Sequence, residues 1–313
     1  MAAVRRRGAS GLIAVVAPRS ALAALEPLCG AYAERGPVAT FERDLLSVAE
    51  LRELAAGAEA VLVVGPRRRS PRTALPGPFV RTADGRRAPI GWVPDCGREA
   101  LRRFATTAAR VHARAGAGRT VAVLAQRSRR YRDLSGRIER LLGESGGGAR
   151  PLRWTADELT RADLSTGLAV GLAAAVYVGH GRPVGWVGYG GTRSHHLAGA
   201  AEPTAAVLSL TCLTASRRRV GLSFAEALVL QGVAAATFGA VCSTDFHWNA
   251  RWALRLTGAL ANGCATIGDL VASADDDDPA VAGYRILGDP VAPLADAPGA
   301  ALRAERLTQS VSL

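Results

Sequence analysis

Two stretches, Ala175-Val176-Tyr177-Val178-Gly179-His180-Gly181 and Ala205-Ala206-Val207-Leu208-Ser209-Leu210-Thr211-Cys212, decide how this chain reads. Each is a short apolar run of strand length that stops abruptly at a polar, reactive side chain. The connection between them is long enough for one crossover, so the two strands are expected to be neighbours in a parallel sheet. Both side chains would then emerge at its carboxyl edge, where open α/β sheets bind ligands.

Working outward, the same alternation of apolar runs and helical patterns extends to both ends, which predicts an α/β fold with a mainly parallel sheet. Strands are expected at 12–17, 38–41, 60–64, 88–93, 120–124, 151–154 and 233–241. Helices are expected at 21–34, 48–56, 98–113, 131–142, 157–172, 224–230 and 249–261. Residues 66–88 read as a loop-rich stretch and Ala115-Gly116-Ala117-Gly118 as a linker. Ser223-x-x-Glu226 fits a capping box, and Gly232 fits the left-handed residue that closes the same helix.

Composition narrows the class. The 313 residues are 49% hydrophobic and 21% charged, which excludes a disordered or collagen-like chain. No apolar run approaches the ~20 residues of a membrane helix, so no membrane partner is expected. The net charge of +12 comes with 39 basic residues that are all Arg, a pattern of codon bias. Aromatic residues do not interleave with the Arg clusters, so no nucleic-acid partner is expected. Five scattered cysteines form no C-x-x-C pair and point to a reducing compartment. Arg5-Arg6-Arg7 before an apolar run resembles a signal peptide, but Pro18-Arg19 breaks the run, and a cytoplasmic location is expected. The first strand and turn lack the G-x-G-x-x-G of a dinucleotide site. Asp275–Asp278 reads as a solvated acidic loop, His195-His196 and Arg217-Arg218-Arg219 as surface loops, and Gly188-Tyr189-Gly190-Gly191 as a mobile loop bordering the cleft. Cys242 and Cys264 read as core.

A Cys and a His brought to one sheet edge are the elements of nucleophilic catalysis. The thiolate attacks an acyl carbon, and imidazole moves protons near neutral pH. The backbone N–H groups of Gly181 and Cys212 are candidates for holding the developing oxyanion. No metal or cofactor is needed for that chemistry.

Gly179-His180-Gly181, the strand ending in Cys212, the helix with Ser223-x-x-Glu226, the Gly-Ala-rich strand after it, and Leu287-Gly288-Asp289-Pro290 together resemble the gingipain-type cysteine peptidases of the caspase-like clan. Ala88–Pro94 followed by a helix extends the likeness, with Trp92 where the family more often has an Arg. The resemblance implies a caspase-like three-layer sandwich with a smaller N-terminal α/β subdomain at 1–115, a catalytic domain at 119–295 and a tail at 296–313. It implies a cysteine endopeptidase acting on polypeptides, with Cys212 as nucleophile and His180 as its proton-transferring partner. Trp248 matches a Trp that walls the family's specificity pocket, and Asp133 and Asp245 are candidates for the pocket acid or a third catalytic carboxylate. The alternative is a catalytically silent member of the same fold, an interaction module in a multi-protein system. Regulation would come from a protein partner or from loops such as 181–204.

Overall fold

The computed structural model describes residues 11–44, 46–114, 118–144, 146–273 and 281–311. Arg5–Arg7, Ala115–Ala117 and Asp275–Asp278 lie outside the described residues. The first part of the chain supplies β1 (Ile13–Ala17), β2 (Val38–Glu42), β3 (Ala60–Pro66), β4 (Phe79–Arg81) and β5 (Arg87–Asp95). The second supplies β6 (Arg119–Ala125), β7 (Ala149–Thr155) and β8 (Ala174–Val178), the two-residue strands β9 (Gly181–Arg182), β10 (Gly185–Trp186) and β11 (Thr192–Arg193), then β12 (Thr204–Leu210), β13 (Ala234–Ala240) and β14 (Tyr284–Gly288).

One sheet runs in the order β2-β1-β3-β5-β14-β13-β12-β8-β6-β7. The pairs from β2 to β5 and from β13 to β7 are parallel. β14 enters antiparallel to β13 and pairs through Ile286 and Leu287 with Gly91 and Trp92 of β5. The sheet therefore continues unbroken across the expected division near residue 115. Residues Ala300–Val311 form a helix, and its Thr308 hydroxyl accepts a hydrogen bond from the Trp154 indole at 3.0 Å.

Strand periodicity sorts the core into two layers. Val121, Val123, Val176 and Val178 face one cluster, while Ala122, Leu124, Ala175 and Tyr177 face the other. Helices cover both faces, which is why β1, β8, β12 and β13 are buried along their whole length and mostly apolar rather than alternating. No helix among the described residues is long and apolar enough to cross a membrane.

The expected helix at 157–172 is only Arg161–Leu168. Thr160 caps it by accepting from the Asp163 N–H, and Asp163 accepts in turn from the Thr160 N–H, so the helix cannot start earlier. The capping box of Ser223 and Glu226 and the left-handed Gly232, at φ +75°, are both present.

Gly288-Asp289 is a structural clamp. Gly288 sits at φ +91°, and a Cβ there would strike the Ala235 carbonyl. Asp289 is fully buried and accepts from the Tyr32 hydroxyl at 2.6 Å, the His112 Nε2 at 2.7 Å and the Val291 N–H at 2.9 Å. Burial, and next the Asp289 charge, hold the Tyr32 hydroxyl well above its ordinary pKa.

Candidate active site

β12 pairs with β8 so that Leu210 lies opposite Val178. His180 and Cys212 are each two residues beyond that last rung, so the register delivers both to one edge. The Thr211 hydroxyl donates to the Gly179 carbonyl at 2.7 Å and ties the two strand ends together. A Cβ on Gly181 would lie 2.5 Å from the Cys212 carbonyl oxygen, so only glycine permits this approach.

The turn after Cys212 is strained. Leu213 adopts φ +63°, a region uncommon for any side-chain-bearing residue, and is held there as its N–H donates to the Cys242 carbonyl at 3.1 Å. The Cys212 N–H has no hydrogen-bond partner among the described residues. The sulfur is surrounded by Thr244: it accepts from the Thr244 N–H at 3.3 Å, lies 3.4 Å from Oγ1, and its thiol donates to the Thr244 carbonyl at 3.3 Å. Behind Thr244, the Tyr284 hydroxyl donates to Asn249 Oδ1 at 2.6 Å, and Asn249 Nδ2 donates to Thr244 Oγ1 at 2.9 Å. Because Oγ1 already accepts from Asn249, its own proton is free to point at the sulfur. Sequence reading missed Thr244, Asn249 and Tyr284, since nothing in their spacing marks them.

His180 is held by its backbone. Its N–H donates to Gln126 Oε1 at 3.0 Å, and its carbonyl accepts from the Tyr177 hydroxyl at 3.1 Å and the Val187 N–H at 2.9 Å. Tyr131 meets the imidazole edge-on, with ring centroids 5.5 Å apart. Arg130 donates to Nε2 at 3.1 Å, and its guanidinium lies over the Tyr131 and Phe246 rings. A guanidinium can only donate, so Nε2 is the acceptor and the neutral ring carries its proton on Nδ1. Burial, and then the Arg130 charge, lower the His180 pKa below its ordinary value. No carboxylate among the described residues bonds to His180.

The candidate carboxylates have other partners. Asp133 is on an exposed helix face 3.7 Å from Arg129, and Asp245 caps the helix Phe246–Ala261 by accepting from the His247 N–H at 2.7 Å. Trp248, in contrast, lines a cavity of about 330 Å³ that also contains Thr244. Cys242 lines the same cavity rather than the core.

Two other expectations change. Arg217 is not a solvated loop residue: its guanidinium forms a buried pair with Glu226, at 2.6 Å from Nη2, and donates to the Arg67 carbonyl. Glu226 is the residue whose carboxylate also closes the capping box, so the pair locks the segment after Cys212 onto the next helix. The Gly188–Gly191 turn is pinned rather than mobile, because the buried Tyr189 hydroxyl donates to the Trp154 carbonyl at 2.6 Å and accepts from the Ala125 N–H. His195 and His196 lie in a short helix, where His196 Nδ1 accepts from the Arg193 N–H at 3.1 Å.

A mainly parallel α/β sandwich with this edge is the fold of the gingipains. Residues 129–295 match the family model of peptidase family C25, and the chain belongs to that family of cysteine peptidases. Among solved structures it is similar to the Arg-specific cysteine proteinase gingipain R, with a TM-score of 0.71 at 13% identity over 94% of this chain and 80% of that one. It is similar also to the complex of RgpB pro- and mature domains from Porphyromonas gingivalis, with a TM-score of 0.65 at 13% identity over 91% and 81%. A third likeness is to the Saccharomyces cerevisiae separase–securin complex, with a TM-score of 0.51 at 13% identity over 74% and 16%. No curated protein sequence matches the chain.

Proposed function

We propose that this chain is a cysteine endopeptidase working through a Cys212–His180 dyad and an acyl-enzyme. His180 takes the Cys212 proton on Nε2, the atom that the Arg130 hydrogen bond must first release, as the sulfur bonds to the peptide carbonyl carbon. It gives that proton to the leaving amine as the C–N bond breaks. Water then attacks the thioester, releasing the acid and returning a proton to the sulfur. The unpaired Cys212 N–H and the N–H of Gly181 would hold the oxyanion in both steps. The pairing of Leu210 with Val178, which carries both side chains to one edge, is the observation that supports this reading. The test is covalent labelling by peptide acyloxymethyl ketones, with the modified residue identified by mass spectrometry. Modification of Cys212 that needs intact His180 is the expected result. Folded protein that neither turns over peptides nor labels at Cys212 would favour the interaction-module reading.

The lowered His180 pKa sets a pH expectation. A base must be unprotonated to take the thiol proton, so the acid limb of kcat/KM should fall below pH 6.5. Arg130→Gln removes one of the two causes of the lowering, so the limb should move to higher pH. A limb that stays in place would separate Arg130 from the proton transfer.

Thr244 is assigned as a positioning residue for the thiolate. Thr244→Val removes the Oγ1 donor without changing shape and should lower kcat/KM on the order of 10-fold. The rate of thiol alkylation by iodoacetamide should fall in parallel, and Thr244→Ser should restore both.

A further inference from the structure

The cavity beside Cys212 carries two guanidinium groups and no carboxylate among its lining residues, which include Arg72, Arg285, Cys242, Thr244 and Trp248. Arg285 is 3% exposed, yet every partner it has among the described residues is a neutral carbonyl. Its Nε donates to Pro71 at 3.2 Å, Nη1 to Ala282 and Tyr284 at 2.7 Å each, and Nη2 to Leu75 at 2.8 Å. A guanidinium has five N–H donors, so one on Nη2 is unused. Carbonyls satisfy donors but do not cancel the charge, and a buried cation without a counterion is costly.

Arg72, an exposed residue on the short helix Pro71–Ala74, faces the same cavity and forms no ion pair among the described residues. Burial first, and the Arg72 charge as well, lower the Arg285 pKa to about 10, which leaves Arg285 charged at neutral pH. The two positive charges disfavour an Arg or Lys side chain at this place by like-charge repulsion. A carboxylate would supply the missing counter-charge, and about 330 Å³ admits one with its waters. Thr244 belongs both to this cavity and to the shell around the Cys212 sulfur, so a side chain seated here comes from a residue flanking the bond being cut.

We propose that Arg72 and Arg285 form an acid-selective pocket, and that the enzyme cleaves after Asp or Glu. This rests on the Cys212–His180 reading above, and two separate measurements keep the two apart. In the first, wild-type protein is treated with acyloxymethyl ketones differing only in the residue next to the warhead: Asp, Glu, Leu or Arg. Labelling of Cys212 by the acidic probes is expected to be on the order of 100-fold faster than by the others. Arg72→Glu should reverse that order; the exposed Arg72 is chosen because Arg285 also holds four carbonyls together.

In the second, Cys212→Ala protein is titrated with fluorescent peptides ending in Asp, Leu or Arg, followed by anisotropy. Tightest binding to the Asp peptide, weakening with salt and lost in an Arg72→Glu background, is expected. Labelling of Cys212 that is indifferent to the probe or prefers Arg would overturn the acidic pocket and leave the dyad standing. No labelling by any probe, with selective binding of the Asp peptide retained, would overturn the dyad and keep the pocket. Indifferent binding overturns the pocket in either case.

Discussion

Cys212→Ala is expected to abolish peptide turnover and covalent labelling, a loss on the order of 10⁶-fold in kcat if the sulfur is the nucleophile. The residual rate would come from binding and the oxyanion donors alone. Stability should barely change, because the side chain is only half-buried and its contacts are the sulfur–Thr244 hydrogen bonds. That separation makes the result interpretable: a folded, inactive variant isolates chemistry from structure. The competing thiol is Cys242, which lines the adjoining cavity. Turnover that survives Cys212→Ala and disappears in Cys242→Ala would move the nucleophile there. His180→Ala should cost nearly as much as Cys212→Ala, and the double variant little more, because the two act as one unit.

The second large effect concerns stability and lies far from the sulfur in sequence. Asp289→Ala strips the partner from the Tyr32 hydroxyl, the His112 imidazole and the Val291 N–H at once. All sit in the interior: the His112 side chain is 3% exposed and that of Asp289 0%. Removing one partner of a buried pair while leaving the other costs roughly 3–5 kcal/mol, and three groups depend on this carboxylate. Thermal unfolding should shift down by on the order of 10 °C. Asp289→Asn can keep Oδ1 as the acceptor for both the Tyr32 hydroxyl and the Val291 N–H, and should fall between. An unchanged Tm would mean that the helix Arg19–Ala33, which carries Tyr32, and the helix Arg98–His112 do not depend on this clamp. It would also leave the Gly-Asp-Pro segment without a structural role.

How far the sequence could be read depended on the range of the interaction involved. Apolar runs such as 174–178, 204–210 and 234–240 become strands within a residue of expectation, because burial on both faces keeps them almost wholly apolar. The helix Phe224–Leu230 was legible to the residue, since Ser223, Glu226 and Gly232 act through backbone groups three or four positions away. The adjacency of His180 and Cys212 followed from the shortness of a single crossover.

What failed was everything set by distant partners. β14 has no strand signature of its own, yet its antiparallel entry puts Arg285 opposite Gly239, at the end of β13 that leads to Thr244. That pairing creates the cavity and its charge. Arg217 looked solvated because its sequence neighbours are arginines, whereas the carboxylate that buries it sits on the next helix. Local hydrogen bonding and burial pattern determined the elements and the edge; only the folded sheet decided which charges meet there.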